Sequence, residues 1–236
     1  MFQSNKEYID FLISSGVHTF LQEKPNNLHE RGQIKDETFK KKGIKKLEEI
    51  TEINQLITLI TNHNSSLKKT AKKLVLYDGN LKSKLMIIGE GPGKEEDEAG
   101  IPFVGRAGQL LNKMLSAINL NRKDVYVTNV VPWRPPQNRT PTDDEILEFL
   151  PYLQRQIEII KPKFIYLLGA TAAKAILSTP ISLGKLRGRW YEYKTVNMKR
   201  SINVLVSYHP AFLLRSPNFK KEAWSDLQML QKKLND

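Results

Sequence analysis

The sequence predicts an α/β fold: a three-layer α/β/α sandwich on a central, mainly parallel four-stranded sheet, preceded by a helical N-terminal extension. Two observations carry this. Four short runs, KLMIIG (84–89), DVYVTNVV (124–131), KFIYLLG (163–169) and INVLVSY (202–208), are apolar without alternation and rich in β-branched and aromatic residues, as strands covered on both faces are. Around them, 105–119, 143–160, 170–178 and 219–234 have helical periodicity. Strands alternating with helices in this way build parallel sheets.

Taken in order, residues 5 to 22 place Tyr8, Phe11, Leu12, Val17 and Leu21 at a rough helical period, broken at Ser14-Ser15-Gly16. Residues 23 to 44 are polar, carry Pro25, Gly32 and Gly43, and read as a mobile connector with a lysine run. Leu47, Ile50, Ile53, Ile57 and Ile60 then predict a helix over 45–61. The expected organisation is an extension over 1–62 and one domain over 63–236. YDGN (77–80) reads as a turn, and Thr142 followed by Glu145 as a capping box opening the helix at 143.

Lys and Arg number 37 against 25 acids, a formal charge of +12, which suits a polyanionic partner such as nucleic acid. The chain of 236 residues has no cysteine, which excludes disulfides, thiolate metal sites, iron–sulfur clusters and a cysteine nucleophile. MFQSNKEYID lacks the apolar core of a secretory signal, and the most apolar stretch, 164–177, is broken by Gly169 and Lys174. The expectation is a soluble, cytoplasmic monomer with no membrane partner and no cofactor.

Ligands of such a sheet gather at the carboxyl ends of its strands. The first run ends in Gly89-Glu90-Gly91-Pro92-Gly93, the second in Thr128-Asn129 before PWRPPQNR, the third in Gly169-Ala170-Thr171 and the fourth in Ser207-Tyr208-His209-Pro210. A phosphate loop needs Ser or Thr after its lysine, whereas Lys94 is followed by Glu95, Glu96 and Asp97, which would repel phosphate. A dinucleotide fingerprint does not accommodate Pro92. The acids from Glu95 to Glu98 are consecutive, so their side chains diverge and no metal is expected. A cup for a flat, neutral group remains. Phe103 supplies a stacking face, Asn129 an amide that both donates and accepts, and His209 a donor. Singly, these are a core ring, a strand-end cap and the partner of a buried carbonyl. Their placement at strand ends favours the cup.

GEGPGKEEDEAGIPFVGRAGQLL, TNVVPWRPPQNRTP and HPAFLLR resemble the three signature motifs of the uracil-DNA glycosylase superfamily, closest to its family 4, over about residue 65 to the C-terminus. The resemblance implies a DNA repair enzyme that excises uracil by hydrolysing the N-glycosidic bond, leaving an abasic site for a downstream endonuclease. A rival reading is a non-catalytic or covalent uracil-DNA-binding protein of the same fold. By resemblance, Phe103 stacks on uracil, Asn129 reads its O4/N3 edge, His209 contacts O2, Glu90 with the backbone of Gly91 holds the water, and Glu96 crowds C5 against thymine's methyl. Leu213 matches the apolar wedge that enters the duplex, and Arg215, with Lys220 and Lys221, meets phosphates. Family 4 enzymes hold a four-iron cluster on four cysteines. Those positions fall on Asn62, Ser65, Trp133 and Phe149, none of which replaces a thiolate, so a cluster-free branch is implied in which Trp133 and Phe149 fill the space by apolar packing.

Overall fold

The computed structural model describes residues 47–236; the helix expected over 5–22 and the connector over 23–44 lie outside the described residues. Six strands, β1 (Tyr77–Gly79), β2 (Leu85–Gly89), β3 (Tyr126–Asn129), β4 (Phe164–Leu168), β5 (Trp190–Tyr193) and β6 (Ile202–Ser207), form one sheet in the order β1-β3-β2-β4-β6-β5. The four expected strands are its centre, and β3-β2-β4-β6 pair in parallel throughout. Two antiparallel edge strands, β1 on β3 and β5 on β6, extend the expected four strands to six. Both are too short and too exposed to carry an apolar run, and β1 lies within the stretch that reads as a turn.

Nine helices are described: α1 (Ile53–Asn62), α2 (Ser66–Thr70), α3 (Lys94–Ala99), α4 (Arg106–Ser116), α5 (Asp143–Ile160), α6 (Ala170–Leu177), α7 (Leu183–Leu186), α8 (Pro210–Arg215) and α9 (Lys220–Asn235). The central strands are apolar without alternation because both faces are covered. Met86 and Ile88 of β2 join one core with α1, α5 and α6. Leu85 and Ile87 join the other with α4, α8 and α9. On α1, Ile53, Leu56 and Ile60 are the buried stripe, with Leu56 and Ile60 fully enclosed. The expected boundary at residue 62 falls at the end of this helix. Among the described residues, no helix is long and apolar enough to cross a membrane.

The cluster positions of family 4 carry a different construction here. Phe149 and Trp133 are core residues at 1% and 4% exposure, in the same apolar cluster as α1. Just beside Asn62, the His63 ring pairs with Glu148 (2.7 Å) and Tyr152 (3.2 Å) and meets Phe149 edge-on at 5.9 Å. Ser65 caps α2 and donates to Glu148 at 3.3 Å. With no thiolate in the chain, these residues do not fit a four-iron cluster. Hydrogen bonds and aromatic packing tie α1 and α2 to α5 instead.

α5 opens as expected. The Thr142 hydroxyl accepts from the Glu145 amide (3.2 Å) and the Glu145 carboxylate accepts from the Thr142 amide (2.8 Å). The fork of Arg139 donates to both oxygens of the same carboxylate, at 2.7 and 2.6 Å, and holds it below the usual carboxylate range. This ties the end of PWRPPQNR to the helix. Removing the cap, Thr142→Ala, is expected to cost about 1 kcal/mol. Thermal unfolding should show a midpoint about 2–4 °C lower. An unchanged midpoint would mean that Arg139 alone holds this terminus.

Candidate active site

The parallel centre of the sheet brings the carboxyl ends of β2, β3, β4 and β6 to one edge. There a cleft of about 390 Å³ opens, lined among others by Glu90, Gly91, Glu96, Phe103, Asn129 and His209. All six residues expected to handle the base therefore meet in one place.

Gly89, the last residue of β2, sets the approach of two of them. A Cβ there would stand 2.4 Å from the Phe103 ring and 2.5 Å from Asn129 Oδ1, closer than any carbon tolerates. Asn129 is only 4% exposed, and its Oδ1 is buried without any hydrogen-bond partner in the protein. A buried acceptor left alone costs about 1–3 kcal/mol, so this orphan, on a residue that lines the cleft, marks a place for a donor. The Phe103 and His209 rings lie 5.5 Å apart with 30° between their planes. Phe103 itself has a positive φ of 56°, a conformation costing a bulky residue about 1–3 kcal/mol.

His209 is fixed by its own loop. It is the N-cap of α8, and its Nδ1 accepts from the Ala211 amide at 3.2 Å. That bond leaves the proton on Nε2, so the ring presents an N–H donor. Burial first, then the positive charge of Arg215, pushes its pKa down to about 4. Of the two possible states, the imidazolium and the neutral donor, the structure favours the neutral donor.

Glu90 is half-buried at the end of β2, and its carboxylate accepts from the Thr171 hydroxyl, at 2.5 Å, on the first turn of α6. Thr171 has no role in the sequence reading, although it stands at the third strand end that reading singles out. Glu96 is placed differently from a free wall of the pocket. Its carboxylate accepts from the amides of Gly93 (3.1 Å), Val104 (3.0 Å) and Gly105 (2.9 Å), joining the glycine loop to the turn that carries Phe103. The acids around it also separate: Asp97 is 1% exposed and accepts from the amides of Lys72 and Lys73. Among the described residues, no group of three or more His, Asp or Glu converges as for a metal ion.

The wedge expectation for Leu213 is corrected. Leu213 is 1% exposed and belongs to the core beneath α8, whereas Leu214 is 42% exposed. A side chain that enters a duplex must reach solvent, and only Leu214 of the pair does. Arg215 lines the cleft and is exposed, as a phosphate contact requires.

Residues 76–228 match the family model for the uracil DNA glycosylase superfamily. The chain is 42% identical to the type-4 uracil-DNA glycosylase of Pyrobaculum aerophilum over 75% of its own length and 92% of that protein. It is equally similar to the type-4 enzyme of Archaeoglobus fulgidus, 42% over 70% of this chain and 83% of the other. The type-5 uracil-DNA glycosylase of Pyrobaculum aerophilum is more distant, at 29% over 56% of this chain and 63% of that one.

The histidine geometry gives a sign for pH. A neutral His209 with a folded pKa of about 4, against the ordinary 6.5, contributes stability that is present above pH 6.5 and lost as pH falls through 4. NMR titration of the His209 ring is expected to show the Nε2–H tautomer and a midpoint near 4. A midpoint above neutral pH would mean an imidazolium in the working protein.

Proposed function

Because the chain belongs to the uracil DNA glycosylase superfamily, we propose that it excises uracil from DNA, with the cleft at the strand ends as the site of bond cleavage. The observation that carries this reading is the unpartnered Oδ1 of Asn129. Uracil N3–H supplies the missing donor, and the same amide donates to O4. The base must leave the stack to reach the cleft, as glycosylases require. Phe103 then lies against its face, and His209 Nε2–H meets O2.

In the bond-breaking step the N1–C1′ electron pair leaves with uracil, and the negative charge spreads towards O2. The neutral N–H donor of His209 stabilises that anion where it forms, without itself carrying charge. Glu90, held by Thr171, orients the water whose oxygen bonds to C1′, and the water's proton passes out through this carboxylate to solvent. Gly91 beside it offers only backbone. Glu96, fixed by its three amide bonds, stands as a rigid wall at the C5 edge. Leu214 takes the space left by the displaced base, and Arg215, with Lys220 and Lys221, grips phosphates. The protein works in the cytoplasm as a monomer, and its abasic product passes to an endonuclease.

The test is incubation with a uracil-containing oligonucleotide followed by alkali. Strand scission at the uracil is expected; a gel shift without scission would mean a binding protein. The same assay separates the two leucines. Leu214→Ala is expected to slow excision from duplex roughly tenfold, matching unstacking work of a few kcal/mol only partly lost, and to spare single strands. Equal loss on both substrates would remove Leu214 from the DNA interface.

A further inference from the structure

Phe103 holds a left-handed backbone, φ 56°, that a large aromatic residue keeps only where its surroundings over-determine it. Three contacts do so. The guanidinium of Arg122 donates from Nη2 to the carbonyl of Pro102 and from Nη1 to the carbonyl of Phe103 (3.2 Å). On the other side, its Nε donates to Asp78 Oδ2 of β1 at 2.7 Å. Gly108 lets α4 close on the same turn: a Cβ there would stand 1.7 Å from the Phe103 oxygen. The turn is thus gripped at both carbonyls, backed by a helix, and its ring rests on Gly89.

We propose that Arg122, oriented by Asp78, is the positioning residue for the base-stacking ring. It holds the Pro102-Phe103 turn in the one conformation that sets Phe103 beside Asn129 and His209. This rests on the reading of Phe103 as the stacking face. The guanidinium suits the task because two acceptors on successive residues need a planar fork with several fixed donors; an ammonium serves one of them well. With side chains 20% and 37% exposed, the Arg122–Asp78 pair acts through geometry more than through its Coulomb energy. Neither residue lies within the motifs that handle the base. Arg122 comes from the turn before β3, and Asp78 from an edge strand at the far side of it. The edge strand therefore takes part in the pocket.

The test is a cycle of variants read by single-turnover excision from a single-stranded uracil oligonucleotide and by inhibition with free uracil. Arg122→Gln is expected to weaken uracil inhibition and slow excision roughly tenfold, the scale of lost hydrogen bonds to a charged donor. Arg122→Lys should recover part of the loss. In a Phe103→Ala background Arg122→Gln should change nothing further, because there is no ring left to place. Equal losses in both backgrounds, or unchanged uracil inhibition with a lowered unfolding temperature, would make Arg122 a merely structural residue and overturn the proposal. If Arg122→Gln does not fold, Asp78→Asn, which leaves both carbonyl bonds, is expected to give the same losses in smaller measure and to be silent without Phe103; additivity there overturns the proposal equally. Phe103→Ala alone separates the two layers of argument. Full activity in that variant sinks the stacking reading itself, whereas its loss beside a silent Arg122→Gln sinks only the role of Arg122.

Discussion

At the carboxyl end of β2, the Phe103 ring and the Asn129 amide both press on the Cα of Gly89, within distances that leave no room for a methyl group. The rest of the site depends on this contact. It allows a ring carried by the turn before α4 and an amide carried by β3 to face one small volume. The parallel pairing of β2 with β3, Gly89 beside Asn129, fixes the second of these through the sheet ladder. The first is fixed by a strained turn, and strain of that kind persists only under several simultaneous restraints. The pocket is thus rigid on one side because of the sheet and on the other because of Arg122, Glu96 and Gly108.

Its electrostatics follow a similar economy. The chain carries a formal +12, but the histidine that lines the cleft, His209, is held neutral. Burial and Arg215 depress its basicity, and the Ala211 amide occupies the nitrogen that would otherwise take a second proton. Arg215, Lys220 and Lys221 are exposed, and exposed positive charge attracts a polyanion. Of the four acids after the glycines, Glu96 and Asp97 turn inward to backbone amides and Glu96 braces the loop, while Glu95 and Glu98 stay exposed.

The central sheet was legible because burial on both faces leaves an unbroken apolar run, and the convergence of Glu90, Asn129 and His209 followed from parallel strands having one carboxyl edge. The edge strands were not, since three or four half-exposed residues leave no pattern. Nor could periodicity choose between Leu213 and Leu214: α8 has six residues, and so short a helix does not fix the phase of its buried face. Thr171 acts on a partner 81 residues away through one hydrogen bond, and Arg122 on partners 19, 20 and 44 residues away through three, contacts that leave no mark in composition or spacing. At the family's cluster positions, the missing cysteines showed what could not be bound. The replacement, a His63–Glu148–Tyr152 network beside Phe149, needed the packed structure to appear.

The central claim is that a buried amide at the end of β3 reads the N3–H edge of uracil. The measurement that meets it most directly compares free uracil with 3-methyluracil as inhibitors of excision. The methyl group replaces the N3–H donor proposed to meet Asn129 Oδ1 while leaving the ring, N1–H, O2 and O4 in place. The account predicts that 3-methyluracil inhibits at least about tenfold more weakly, the consequence of leaving a buried acceptor unpaired. Equal inhibition by the two would show that Asn129 does not read this edge.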